Sequence, residues 1–255
     1  MSEPAPYPRS RYEYKYLISS EQEPLVRNRI APFTRYDRFA RDQPDHRYTI
    51  SSLYLDGPDL RLYRATVEGL KSRFKLRVRC YSDDARDPVF LEMKERNDQI
   101  VRKRRAPLSR SDAECLAAGG ILRRPLTPEV ARFTLLQKFV RARPVLWVRY
   151  DREAYESIGP DPIRITLDYR LGFRVATDTR FAPGDDWRIP PMRPTILEIK
   201  FTDRFPAWAA DLVRSLDLVR SSCAKYAIGI DEFGLAQNGL GPLRPRAKER
   251  DAAHG

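Results

Sequence analysis

Polar and apolar positions alternate most strictly at residues 74–80, where Phe74, Leu76, Val78 and Cys80 interleave with Lys75, Arg77 and Arg79. Successive side chains of a strand point to opposite faces, so this pattern predicts a strand with one cationic and one apolar side. Four other stretches repeat the polarity: Arg11, Glu13 and Lys15 against Tyr12, Tyr14 and Tyr16; Glu92 and Lys94 against Leu91 and Met93; Arg164, Thr166 and Asp168 against Ile165, Leu167 and Tyr169; and Glu198 and Lys200 against Leu197 and Ile199. Residues 48–56, 100–107 and 145–154 also read as strands, and 173–177 as a short further one. Between them, helices are expected from a cap at Ser19 or Ser20 to about residue 30, and over 59–68, 109–118, 128–141, 206–216 and 221–230. The 128–141 segment carries an apolar stripe through Val130, Phe133, Leu136, Phe139 and Val140.

Charged faces on several strands, combined with amphipathic helices that need apolar surface to cover, leave two architectures. An ordinary sandwich buries the apolar faces together and scatters the charge outward. A sheet with helices outside and charge inside makes a barrel with a polar, water-filled lumen. The triple occurrence of Glu-x-Lys, at 13/15, 92/94 and 198/200, favours the second. With 255 residues and no internal repeat, one domain over 10–235 is expected, flanked by a flexible start at 1–9 and a disordered basic tail at 236–255.

The formal net charge is +12, which calls for anionic partners. The excess is largely Arg, the residue suited to bidentate contacts with phosphate. The two histidines are His46 and His254, so histidine-based metal or triad chemistry is not expected. No phosphate-binding glycine loop and no G-x-S-x-G occur. Cys80, Cys115 and Cys223 are far apart, which reads as free thiols in a reducing, cytoplasmic setting. There is no run of apolar residues long enough for a membrane span. Basic strands with a few carboxylates fit the binding of a chain of phosphates, with Mg²⁺ or Mn²⁺ held by carboxylate and phosphate oxygens together.

The motifs RYEYKYLIS, SSLYLDGPDLRLY, FKLRVRCY, VFLEMKER, VRYDREAY with IRITLDYRL, LEIKF and SSCAKYAIGI resemble, in order and spacing, the VTC domain. That is the polyphosphate polymerase branch of the triphosphate tunnel metalloenzymes, related to the CYTH proteins. The resemblance spans about residues 10–232. It implies an α+β fold: a closed antiparallel eight-stranded β-barrel, or tunnel, with a basic lumen and helices outside. It also implies metal-dependent transfer of the ATP γ-phosphoryl to inorganic polyphosphate. Under it Lys15, Arg77, Arg79, Lys94, Arg149, Arg164 and Lys200 are the expected catalytic residues. Lys75, Lys225, Arg152 and Lys103 become further substrate ligands. Glu198 resembles the metal-holding glutamate, with Glu13 and Glu92 as accompanying carboxylates. The partners implied are ATP and inorganic polyphosphate or triphosphate; no specific nucleic acid is expected, and the oligomeric state is left open.

Several of these residues have plainer readings. Glu198 can serve only as an ion-pair partner of Lys200 or Arg164, and Glu13 and Glu92 can simply orient lumen cations. Lys225 can snorkel from an apolar helix, and Arg102–Arg105 can form a solvated edge. The first-strand signature of the wider superfamily, E-x-E-x-K, stands here as Arg11-x-Glu13-x-Lys15. The missing carboxylate argues against a simple triphosphatase or cyclase. Hydrolysis of triphosphate or polyphosphate, and polyanion binding without catalysis, are the alternatives.

Overall fold

The computed structural model describes residues 11–98, 100–123, 125–160, 162–181, 186–191 and 194–238. Residues 1–9, expected to be flexible, and the tail from 239 onward lie outside them. In chain order the elements are β1 (Arg11–Ile18), α1 (Gln22–Ile30), β2 (Thr34–Tyr36), α2 (Arg38–Arg41), β3 (Tyr48–Asp56), α3 (Arg61–Val67), β4 (Ser72–Cys80), β5 (Val89–Asn97), β6 (Ile100–Leu108), α4 (Arg110–Ala117), α5 (Pro128–Phe139), β7 (Arg143–Ser157), β8 (Arg164–Val175), β9 (Thr195–Thr202), α6 (Ala207–Ser215), α7 (Lys225–Glu232) and α8 (Leu235–Asn238). The fold is α+β, with a large antiparallel sheet in the order β1-β9-β8-β7-β3-β4-β5-β6 and β2 on β7.

Among the described residues the strand order is an open path from β1 to β6, without the pairing of these two strands that the expected closed eight-stranded barrel requires. The outer edge of β1 is occupied instead by the segment before α7: Tyr16 bridges Arg220, and the Ser221 N–H donates to the Lys15 carbonyl at 2.8 Å. Strand β6 carries Arg102, Lys103, Arg104 and Arg105, all exposed. A run of cations is one of the ways a sheet keeps an edge from pairing.

The residues group into two compact units, each with its own core. The first comprises the chain up to Ile50, Arg149–Gly172 and Ile189–Ala224. In it α1 and α6 lay Val26, Ile30 and Leu212 on Ile165, Leu167, Leu197 and Ile199. The apolar alternation of β8 and β9 therefore faces the helices, and Tyr16 joins the same core. Arg27 of α1 adds a polar clamp, donating to Glu153 at 3.1 and 3.2 Å and to the Tyr169 hydroxyl at 2.7 Å. Two short elements here carry no periodicity long enough to read from sequence: β2, and α2, which the Asp37 carboxylate caps through the Phe39 and Ala40 N–H groups.

The second unit comprises Ser51–Val148, Phe173–Arg188 and the chain from Lys225. Leu76, Val78, Leu91 and Met93 lie beneath α4 and α5, against Leu116, Val130, Phe133 and Leu136. Helix α4 is capped by Ser109, whose hydroxyl accepts from the Asp112 N–H, and α5 by Thr127. Among the described residues no helix is long and apolar enough to cross a membrane.

Candidate functional site

In the second unit, strand register turns the alternating pattern into rungs across the sheet. Tyr54 of β3 stands opposite Arg77 of β4, Arg77 opposite Glu92 of β5, and Glu92 opposite Arg105 of β6. The next rung on the same face is Lys75, Lys94 and Lys103. Side chains directly opposite on adjacent antiparallel strands lie roughly 5 Å apart at Cβ, and like charges so placed oppose folding. Three lysines in a row concentrate positive charge on this face.

Glu92 is the carboxylate at the middle of this face. Arg77 donates to it from Nε at 2.8 Å and approaches it with a second nitrogen at 2.7 Å; Arg79 and Arg105 each lie 3.7 Å away. Burial would raise its pKa, but Arg77, Arg79 and Arg105 outweigh that and hold it below the usual carboxylate value. One carboxylate thus gathers three guanidinium groups and leaves the face strongly positive.

Tyr54 belongs to this face. Its hydroxyl accepts from Arg77 at 2.9 Å. Burial would push its pKa up, yet Arg77, Arg79 and Lys75 bring it down to about 8. Behind it, Tyr226 of α7 stacks on the Tyr54 ring at 4.8 Å and 11°. The Tyr226 hydroxyl donates to the buried Asp56 at 2.9 Å. Asp56 also accepts from the Gly57, Leu62 and Tyr63 N–H groups, so one carboxylate caps α3 and ties down α7. Lys225, next to Tyr226, is buried. Ser52 completes the edge, accepting from Arg79 Nε at 3.3 Å.

The first unit holds a second charged cluster. Register sets Lys15 opposite Glu198 and Glu198 opposite Thr166, with Glu13, Lys200 and Arg164 on the next rung. Lys15 Nζ lies 3.2 Å from Glu13, 3.1 Å from Glu198 and 3.2 Å from the Cys223 carbonyl, to which it donates. Burial works against its charge, but the two carboxylates raise its pKa. Glu198 receives Lys200 at 2.6 Å and lies 3.9 Å from Arg152. Arg152 forks onto the buried Asp168 at 2.6 and 2.8 Å, a bidentate geometry that fixes the guanidinium plane. Arg164 pairs with Asp37 at 2.6 Å. Among the described residues the buried Thr166 hydroxyl has no hydrogen-bond partner.

The sequence-derived residues therefore fall into two sets. Lys15, Glu13, Glu198, Lys200, Arg152, Arg164 and Arg149 lie in the first unit; Lys75, Arg77, Arg79, Glu92, Lys94, Lys103 and Lys225 lie in the second. Arg149 stands three residues from Arg152 on β7, so strand alternation puts the two on opposite faces. Tyr54, Asp37 and Asp56 are not among the expected ligands. Asp168 and Asp37 hold site arginines, and Asp56 is reached only through Tyr226. Tyr12 and Tyr14 pack on Phe201 at 5.2 and 5.0 Å between ring centroids.

For a divalent cation the donor set is informative. Among the described residues no three His, Cys, Asp or Glu groups cluster as a metal site. Glu13 and Glu198 nonetheless converge within 3.2 Å of one point, the Lys15 ammonium. Mg²⁺ takes one or two carboxylates and completes its shell with water and substrate phosphates, so Glu13 and Glu198 are donors of the type it uses, while the point on which they converge is held by the Lys15 ammonium. Glu92 stands among guanidinium groups with no second carboxylate in that set, and does not fit one.

A family model of the VTC domain matches residues 10–233. Among solved structures, a Bacillus halodurans protein described as a candidate adenylate cyclase is 11% identical, with a TM-score of 0.45 over 93% of this chain and 96% of that one. A Hippeastrum candidate adenylyl cyclase, described as having dominant triphosphatase activity, is 13% identical, with a TM-score of 0.47 over 86% of this chain and 95% of that one. A Pyrococcus horikoshii protein is 13% identical, with a TM-score of 0.43 over 87% and 99%. No curated protein matches.

Proposed function

The chain belongs to the VTC domain family, and from that premise we propose that it is a polyphosphate polymerase that moves the γ-phosphoryl of ATP onto inorganic polyphosphate. The observation that carries the polyanion reading is the rung Lys75–Lys94–Lys103 beside Arg77–Glu92–Arg105. Lysines set side by side next to three arginines match a ligand with negative charges at close, regular spacing. A chain of phosphates is such a ligand, and Arg77, Arg79 and Arg105 supply the guanidinium forks that suit it. Because Glu92 already orients these arginines, little rearrangement is needed when phosphate arrives.

In the reaction the bond from the β–γ bridging oxygen to the γ-phosphorus breaks and ADP leaves. A terminal oxygen of polyphosphate forms the new bond to that phosphorus. Phosphoryl transfer asks mainly for alignment and charge neutralisation rather than a protein nucleophile. Glu198 and Glu13 would hold Mg²⁺ or Mn²⁺, which polarises phosphoryl oxygens and draws off developing charge when bound. Lys15 and Lys200 place ammonium groups around the same carboxylates. Arg152, locked by Asp168, offers a fixed guanidinium.

The test is incubation of the pure protein with ATP and Mn²⁺. Long acid-labile polyphosphate appearing with ADP is the expected result. Orthophosphate alone would make water the acceptor and the protein a hydrolase. Salt-sensitive binding of polyphosphate without turnover would leave only a polyanion-binding module.

A further inference from the structure

The other face of the second unit's sheet is covered by helices, but the cover parts over one rung. Phe74 of β4 stands opposite Glu95 of β5, and Glu95 opposite Arg102 of β6. Phe74 alternates in phase with Leu76, and Glu95 with Met93, both of which lie beneath the helices. The rung is therefore on the face opposite Lys75, Lys94 and Lys103. Here a cleft of about 770 Å³ opens between α3 and α5. Its walls are helix stripes: Arg61, Arg64, Ala65 and Glu68 on α3, and Arg132, Leu136 and Phe139 on α5. Residues three and four apart lie on one face of a helix. At a rise of about 1.5 Å per residue, each wall runs roughly 10 Å.

The cleft combines an apolar lining with unbalanced charge. Leu62 and Leu136 are buried and Phe74 is half-buried, whereas Phe139, Ile100 and Leu70 are 70%, 61% and 47% exposed. Large apolar side chains exposed together, among polar ones, mark an interaction site. Arg73, Arg96 and Arg102 join Arg61, Arg64 and Arg132 in the lining, where the carboxylates are Glu68 and Glu95. Glu95 is already held by Arg132 at 2.9 and 2.6 Å. Among the described residues, Arg64 and Arg102 are in no ion pair.

An occupant that suits this cleft is both anionic and apolar. A small phosphate compound satisfies the arginines but leaves Phe139, Ile100 and Leu70 in water. A bilayer covers protruding apolar side chains, but its broad surface does not enter a concave cleft as far as Phe74. We infer that the cleft between α3 and α5 is the docking site for an acidic amphipathic helix of a partner protein. Two turns of such a helix match the length of the walls. Its apolar stripe, recurring at i, i+3 or i+4 and i+7, packs on Phe74, Leu136 and Phe139, as in other helix-in-groove complexes. Its carboxylates flank the stripe and meet Arg64 and Arg102. The site lies on the sheet face away from the lysine rung and does not rest on the polyphosphate reading.

The probe is a fluorescent peptide of about 18 residues, five helical turns, with Leu at i, i+3, i+4 and i+7 and Glu and Ala elsewhere. Its control is an isomer of the same composition with the stripe scrambled. Binding is read by fluorescence anisotropy to the parent, to Phe139→Ala, to Arg64→Ala/Arg102→Ala, and to Lys94→Ala/Lys103→Ala. The last variant removes the same charge from the opposite face. Arg64, Arg102 and Phe139 are exposed, so their variants should keep the parent's thermal midpoint. The parent should bind the striped peptide at least tenfold more tightly than the isomer, a difference of about 1.4 kcal/mol or more. Phe139→Ala and Arg64→Ala/Arg102→Ala should each weaken it about tenfold, and the lysine variant should bind it as the parent does. No binding of the striped peptide would overturn the inference. So would equal binding of the isomer, or an equal loss in the lysine variant, since either makes the attraction one of diffuse charge. Flotation with phosphatidylglycerol vesicles is run in parallel. Vesicle binding that Phe139→Ala abolishes, with no preference between the two peptides, would make this face a membrane contact and overturn the protein partner.

Discussion

Replacing Glu92 with Gln removes the one carboxylate around which Arg77, Arg79 and Arg105 gather, at 2.7 to 3.7 Å. Gln keeps the shape and one acceptor oxygen but not the charge. Breaking a fully buried ion pair costs roughly 3–5 kcal/mol, and a single hydrogen bond to a charged group roughly 1.5–3 kcal/mol. The Glu92 side chain is 15% exposed, and Gln can still accept from Arg77, so the lower range applies, about 2 kcal/mol. For a chain of this size that is a fall of roughly 4–8 °C in thermal midpoint. The pH dependence has a definite sign. The folded-state pKa of Glu92 lies below its ordinary value. Its contribution is thus present above the ordinary carboxylate pKa and is lost as pH falls through the depressed one. The parent should therefore lose stability on acidification more steeply than Glu92→Gln, and the two should converge at low pH. A bound polyanion replaces the missing charge, so tripolyphosphate should raise the midpoint of the variant more than that of the parent. Differential scanning calorimetry at several pH values, with and without tripolyphosphate, tests each step. A midpoint at neutral pH within about 1 °C of the parent, or a smaller tripolyphosphate gain in the variant, would refute the account of this face.

Glu198→Gln should abolish metal-dependent turnover while tripolyphosphate binding survives, read by product analysis beside calorimetric titration; full turnover would remove Glu198 from the metal. Lys94→Ala takes the middle lysine out of the three-lysine rung. It should weaken tripolyphosphate binding by about tenfold, the worth of one charge-assisted contact, and equal affinity would mean the rung does not meet the ligand. Tyr226→Phe leaves the buried Asp56 one donor short. It should lower stability by about 1–2 kcal/mol in denaturant unfolding, and a neutral result would show that Asp56 is satisfied by its backbone donors.

What could be read from the chain alone was local. Period-two alternation at 74–80, 89–97 and 195–202 states which residues share a face, and in each the apolar side does lie beneath helices. Cross-strand partners are a different matter, because register comes from pairing between distant segments. Nothing within FKLRVRC or VFLEMKER says that Lys75 will face Lys94 rather than Glu92, yet that choice turns isolated cations into a rung. The role of Tyr54 is illegible in the sequence for the same reason. In YTISSLYLD it reads as one more aromatic of a buried strand, and only the arriving Arg77 gives its hydroxyl a role.

The edges were the least legible feature, and they decide the architecture. Whether a sheet closes depends on what its two outermost strands meet, and neither strand carries that information. The 221–230 segment reads as one helix, but its first residues stay extended because hydrogen bonds to β1 at Lys15 and Tyr16 are available. Helix α7 then starts only at Lys225. The same contact fills the edge of β1 and brings the Cys223 carbonyl to the Lys15 ammonium. A segment expected to be a closing helix thus does two jobs at once: it ends the sheet and supplies a ligand to Lys15, which meets both candidate metal carboxylates. That coupling ties the open sheet to the charge of the Glu13–Glu198 pair. A change that frees 220–223 from β1 would therefore reach the candidate chemistry first through Lys15, by taking the Cys223 carbonyl from its ammonium.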